Sequence, residues 1–165
     1  MFPLLLREAF IRTGIQSGSK QEIFSALLET APEWKLTEKA RRKIQEILLL
    51  RESFGTTAVG EGIALPHAYS DDVTEPFAIL GISASGVEFA SLDGAPVHVV
   101  FLLVLPEETE ASRFLKVQLL REARRFFTDA FVSCQIKALE SGEQVQRFIN
   151  VSLELPEAFE TARVS

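Results

Sequence analysis

A chain of 165 residues, 47% of them hydrophobic, has the size of one domain with a single well-filled core. Charged residues make up 24% and the formal net charge is -6, which excludes the basic face that nucleic-acid binding requires. No apolar run approaches the ~20 residues needed to cross a bilayer, and residues 2–6 are too few for a signal core of roughly 7 to 15, so a soluble, cytoplasmic protein without direct membrane insertion is expected.

Ser19 followed by Glu22 is a capping-box pattern, and Ile23, Phe24, Leu27 and Leu28 recur at helical spacing, predicting a helix that ends before Pro32. Thr37 is the N-cap of a second predicted helix, which turns Ile44, Ile47, Leu48 and Leu50 inward and delivers Arg51 at its C-terminal end. Residues 62–66 are expected to be short and extended, with Leu65 in the β region because the residue before a proline is pushed out of the helical one. The strongest strand candidates are 77–82 and 97–105. The second is apolar at nearly every position, as in a central strand covered on both faces.

After Pro106 the spacing turns helical again through Phe114, Leu115, Leu119, Leu120, Ala123 and Phe126 or Phe127. Asp129 caps a further helix reaching Leu139, and Ser141 with Gln144 repeats the capping-box pattern ahead of Val145, Phe148 and Ile149. Cys134 is the one cysteine, which excludes an internal disulfide; its apolar neighbours predict a buried structural thiol. No repeat or linker divides the chain. The expected fold is therefore one α/β domain over residues 1–150, a mixed central sheet of about four to five strands sandwiched between helices, with a tail over 151–165.

Histidine occurs twice, at His67 and His98. Between Arg51 and His67 the chain reads RESFGTTAVGEGIALPH, an arginine and a histidine framing a loop rich in glycine and threonine. A histidine so placed can be a nucleophile, a base or a ligand. For phosphoryl transfer the imidazole must be neutral with one ring nitrogen free, which an ordinary pKa of about 6.5 allows near neutral pH. A guanidinium from Arg51 favours the neutral ring and can then pair with phosphoryl oxygens, and Thr56 and Thr57 are candidate phosphoryl-binding donors.

Each of these residues also has a bland reading. His67 can be a loop histidine bonded to backbone, Arg51 a helix-end cation on the last carbonyls or on Glu46 or Glu52, and the threonines can satisfy their own turn. His98, on an apolar strand, reads as a satisfied structural histidine. Two histidines without cysteines at ligand spacing do not make a metal site, and neither metal nor cofactor is expected. Arg113, Lys116, Arg121, Arg124 and Arg125 share the predicted helix after Pro106, where a solvated face is favoured over an acidic partner's docking site.

The residues Arg51-Glu52, Gly55, Thr57, Gly60, Gly62-Ile63-Ala64 and Pro66-His67 form a segment that resembles, without a gap, the phosphorylation-site segment of the type-2 IIA domains of the bacterial sugar phosphotransferase system. That group comprises the fructose and mannitol IIA domains and the nitrogen-regulatory IIA proteins. A weaker similarity includes the Ser-Lys-Gln-Glu helix start, Leu92-Asp93-Gly94, Pro96-Val97, the apolar run to Pro106 and the helices to about Asn150. The resemblance implies a type-2 IIA-like fold and a histidine phosphotransferase component. His67 would accept a phosphoryl group from a histidine phosphocarrier protein, Arg51 would assist, and the group would pass to a regulatory target or transporter component that the sequence does not identify.

Many members of that family carry a second histidine at the start of the helix after the long strand. Here the region reads ETEASRFLKVQLL, and Arg113 or Phe114 stands nearest to that place. Arg113 would still bind phosphoryl oxygens, whereas Phe114 would not. A stand-alone chain of this length looks more like the nitrogen-regulatory kind than a sugar-transport component. The leading expectation is thus a phosphocarrier of the phosphoenolpyruvate-dependent phosphotransferase system with a signalling role. The alternative is a catalytically silent IIA-like interaction module; a hydrolase using His67 as base comes third, because no serine or cysteine nucleophile stands out by motif. A homodimer is left open.

Overall fold

In the computed structural model, which describes residues 1–16 and 18–154, the chain runs α1 (Phe2–Arg7), β1 (Phe10–Arg12), α2 (Lys20–Thr30), α3 (Glu38–Ser53), β2 (Ala58–Gly60), β3 (Ile63–Ala64), β4 (His67–Tyr69), β5 (Phe77–Val87), β6 (Val97–Leu105), α4 (Glu110–Thr128), α5 (Ala130–Ile136) and α6 (Gly142–Glu154). The sheet order is β1-β5-β6-β3-β2, with β4 also paired to β6. β5 runs antiparallel to β6, while β1 is parallel to β5 and both β3 and β4 are parallel to β6.

β3 and β4 behave as one line along the edge of β6. Ile63 lies opposite Val99 and His67 opposite Leu103, the same offset on both sides of the break. The interruption falls at Leu65 and Pro66, because proline has no N–H for the ladder; its carbonyl still accepts from Leu103 N at 2.9 Å. Leu65 therefore lies in the gap between two strands rather than inside one, and its N–H bonds to Thr57 O at 3.0 Å.

Apart from His98, β6 is apolar because both of its faces are covered. Val100, Leu102 and Val104 join Phe24, Leu27, Ile44 and Leu48 in a core under α2 and α3. Phe101, Leu103 and Leu105 point the other way, into a second core with Leu6, Leu119, Phe127 and Ile149 under α1, α4 and α6. The result is the expected mixed α/β sandwich.

The predicted caps form. Ser19 and Glu22 make both halves of a capping box, the Thr37 side chain accepts from Ala40 N at 3.2 Å, and Asp129 caps α5. At α6 only one half is as expected: Ser141 accepts from Gln144 N, but the Gln144 side chain takes Glu140 N rather than the N-cap's own N–H. α1 and β1 are additional elements, too short to show a period in the sequence.

Several burial expectations are corrected. The inward stripe of α3 is Ala40, Ile44, Leu48 and Glu52, strictly four apart, so Ile47 (37% exposed) and Leu50 (62%) lie outside it. On α4 the fully buried positions are Leu119, Ala123 and Phe127; Phe114 is exposed in the first turns, beyond the reach of the core. Cys134 is exposed as well, because the short α5 turns only Val132 and Ile136 inward. α6 continues to Glu154, so residues 151–154 of the expected tail are helical; the rest of that expectation, 155–165, lies outside the described residues.

Candidate functional site

The loop after α3 is built around a buried carboxylate. Glu52 occupies the last inward position of α3, with its side chain 4% exposed. One oxygen, Oε1, accepts from Thr57 N at 3.0 Å and from the Thr57 hydroxyl, and Oε2 accepts from Lys20 Nζ at 2.5 Å. Lys20 also lies 4.8 Å from the Phe89 ring centroid. Thr56 donates to Phe89 O at 2.7 Å and accepts from Ala58 N at 3.1 Å. Both threonine hydroxyls are thus engaged within the protein, where they shape the loop, rather than standing open as the expected phosphoryl-binding donors. Arg51, one residue before Glu52, is exposed and donates from Nη1 to Gly55 O at 2.8 Å, tying the helix end to the same loop.

The turn from β2 to β3 is the next constraint. Gly60, Glu61 and Gly62 all have positive φ, at 88°, 57° and 79°. Such a run suits glycine at its ends, and the strained middle residue is held from outside: Asp93 Oδ2 accepts from Glu61 N at 2.9 Å. The Asp93 carboxyl, hydrogen-bonded by Ser91, Glu61 N and Ala95 N, titrates below its usual range. Gly62 O accepts from His98 N at 2.8 Å and Val99 N at 3.1 Å, which fixes where β3 begins along β6. A Cβ at Gly62 would meet the His98 ring at 3.4 Å.

From that start, alternation aims His67. Ala64 and Ala68 belong to the core under α2 and α3, while Ile63, Leu65 and Tyr69 face the core under α4. His67 has the parity of the second set and projects toward α4. Its Nδ1 lies 3.0 Å from Leu65 O. A carbonyl only accepts, so Nδ1 carries the hydrogen and Nε2 of the neutral ring holds the free lone pair.

The His67 pKa is lowered from the usual 6.5, mainly because the ring is half-buried, with the Lys116 and then the Arg51 positive charges adding to the effect; the Leu65 carbonyl and Glu52 oppose it. The neutral ring therefore persists below pH 6.5. Because the unfolded chain binds this proton more readily, the contribution to folding is complete above pH 6.5 and is lost as pH falls toward the folded value. An NMR titration of the His67 ring protons is expected to give a midpoint below 6.5; a midpoint at or above that value would contradict this electrostatic environment.

Lys116, expected on a solvated face, is instead half-buried and its charge acts on His67. Its Nζ stands 5.4 Å from the centroid of Tyr69, two residues after His67 on β4. The readable signals were the shared parity of His67 and Tyr69 and the helical spacing of Lys116 from Arg113. Arg113 itself is exposed and pairs with Glu108 at 3.5 Å in the first turn of α4. Exposed apolar side chains occur close in the chain to the two cations that act on His67, Leu50 and Phe54 near Arg51, and Phe114 and Val117 near Lys116.

His98 is wedged behind the glycine turn, its Nδ1 donating to Ser83 O at 2.8 Å. Among the described residues no three histidine, cysteine or acidic side chains gather as metal ligands, and no helix is long and apolar enough to cross a membrane.

Residues 4–151 match the family described as "Phosphoenolpyruvate-dependent sugar phosphotransferase system, EIIA 2". The chain is 31% identical over 135 residues to the nitrogen regulatory protein of Bradyrhizobium diazoefficiens, covering 82% of this chain and 85% of the relative. It is 35% identical over 127 residues to the fructose-specific EIIABC component of the Bacillus subtilis phosphotransferase system, covering 73% of this chain and 20% of that protein. The nitrogen regulatory protein IIA-Ntr of Neisseria meningitidis shares the fold, with a TM-score of 0.71 at 23% identity over 89% of this chain and 97% of that one. With the family pattern matched over residues 4–151, the chain belongs to the EIIA 2 family of the phosphoenolpyruvate-dependent sugar phosphotransferase system.

Proposed function

We propose that the protein is a phosphocarrier that accepts a phosphoryl group on Nε2 of His67 from a phosphorylated histidine of a carrier protein, and that its output is regulatory, as in the nitrogen regulatory relative. The observation that carries this reading is the Nδ1–H bond to Leu65 O, which presents the Nε2 lone pair. In the transfer, that lone pair forms the new N–P bond while the donor's N–P bond breaks and its electron pair returns to the donor ring. The Nδ1 proton stays in place, and the Leu65 carbonyl stabilises the positive charge that develops on the ring.

Such a step asks the protein for position and charge more than for covalent chemistry. Arg51 supplies positive charge from α3, while the Glu52, Thr56 and Thr57 bonds hold its loop still. The exposed Leu50 and Phe54 near Arg51, and Phe114 and Val117 near Lys116, suit a protein donor better than a free small anion, since exposed apolar side chains are contact points for a partner surface. A phosphoryl group adds close to two negative charges at His67, enough to make or break an interface with a regulatory target.

The test is intact-mass analysis after incubation with enzyme I, a histidine phosphocarrier and phosphoenolpyruvate. One acid-labile phosphoryl group on the wild-type chain is expected. No gain, with carriers of both the sugar and nitrogen branches shown to be charged, would shift the reading to a silent interaction module.

A further inference from the structure

We propose that Lys116 is the residue that holds the phosphoryl group once it arrives on His67, its ammonium binding phosphoryl oxygens while the Tyr69 ring beneath it steadies the side chain. This rests on His67 being the acceptor and adds the residue that receives the charge.

The placement comes from the strand. His67 and Tyr69 are two residues apart on β4 and share one face, which separates their side chains by roughly 7 Å along the edge. Lys116 Nζ sits 5.4 Å from the Tyr69 centroid, above that same face. A lysine side chain has four rotatable bonds, so a change in its torsions can carry the ammonium from the ring toward His67.

The charge pattern points the same way. Lys20, Lys35 and Lys43 each reach a carboxylate. Lys116 is half-buried and makes no ion pair among the described residues; its recorded partner is an aromatic face. An ammonium whose partner is an aromatic face keeps its N–H donors for an arriving anion, and a dianionic phosphoryl group on His67 would be one. Its effect on His67 exceeds that of Arg51, so it is well coupled to the point where the new charge develops. The other cations are less available: Arg51 is exposed and donates from Nη1 to Gly55 O, and Arg113 is paired with Glu108.

The experiment compares wild type, Lys116→Gln, Lys116→Arg and Arg113→Gln for the rate of phosphoryl uptake from a charged histidine phosphocarrier, with melting curves to establish folding. Lys116→Gln is expected to slow uptake roughly 10²-fold, the scale of losing one positioned donor. Lys116→Arg should recover to within about tenfold of wild type, because the charge returns with a different shape. Arg113→Gln should change little. Uptake by Lys116→Gln within about twofold of wild type, or a larger loss in Arg113→Gln than in Lys116→Gln, would overturn the assignment while leaving His67 as acceptor. Failure of the wild type to be phosphorylated would instead remove the reading beneath both.

Discussion

His67→Ala is expected to take up no phosphoryl group from a charged carrier, whereas His98→Asn should still take up one group per folded molecule. The two histidines lie on neighbouring strands, yet their rings are committed differently. Each donates Nδ1–H to a backbone carbonyl, Leu65 O for His67 and Ser83 O for His98. His67 sits near the edge of the sheet, where β4 pairs with β6 on one side, and its ring lies within the influence of two cations. His98 is enclosed by glycines: a Cβ would meet its ring at 3.4 Å from Gly62 and at 3.2 Å from Gly86. Its substitution should therefore register as a stability loss of about 1–2 kcal/mol, from the lost bond and disturbed packing, rather than as lost chemistry. Intact-mass analysis of both variants, with melting curves alongside, checks this. Phosphoryl uptake by His67→Ala would place the acceptor elsewhere.

Glu52→Ala is expected to lower stability by about 3 kcal/mol, and with it the thermal midpoint by roughly 10 °C for a chain of this size. The carboxylate serves three donors at once: the Lys20 ammonium, the Thr57 amide and the Thr57 hydroxyl. Removing it leaves the amide and hydroxyl of a residue 5% exposed without their partner, a cost of about 1–3 kcal/mol. Lys20, with its side chain 24% exposed, can turn partly to water, which keeps the total below that of a fully buried pair. Because Thr57 O also receives Leu65 N, the loss should loosen the line that ends at His67. Equilibrium denaturation measures the effect; a change under about 0.5 kcal/mol would mean that Glu52 is not the anchor of this loop.

Much of the fold was readable because local signals agreed with the long-range ones. Ser19 and Thr37 announced their helices through cap chemistry, and the unbroken apolar run at 97–105 announced a strand covered twice. The readings failed where geometry narrows a helix face more than periodicity can show. Ile47 and Leu50 fit an amphipathic pattern, but α3 touches the sheet along a single row, and Leu50 is left beside Arg51 on the surface. Cys134 illustrates the same effect on a helix of seven residues.

At the candidate site, sequence pointed to His67, one of only two histidines, and to the arginine that frames its loop. It did not reveal the residues whose role depends on a partner far along the chain. Glu52 is an ordinary helix glutamate until Lys20 and Thr57 close on it. Lys116 is an ordinary helix cation until the β4 alternation brings Tyr69 beneath it. Thr56 read either as a phosphoryl-binding donor or as a hydroxyl satisfying its own turn, and only the fold brings the Phe89 carbonyl to it.

The most direct measurement of the central claim is the chemical position of the phosphoryl group. The protein, labelled with 15N in its histidine rings and charged by the phosphocarrier, would be examined for phosphorus–nitrogen coupling by NMR. Coupling to Nε2 of His67, with Nδ1 still protonated against Leu65 O, is the predicted result. Coupling to Nδ1, coupling to His98, or no phosphohistidine signal from a demonstrably charged donor would contradict it.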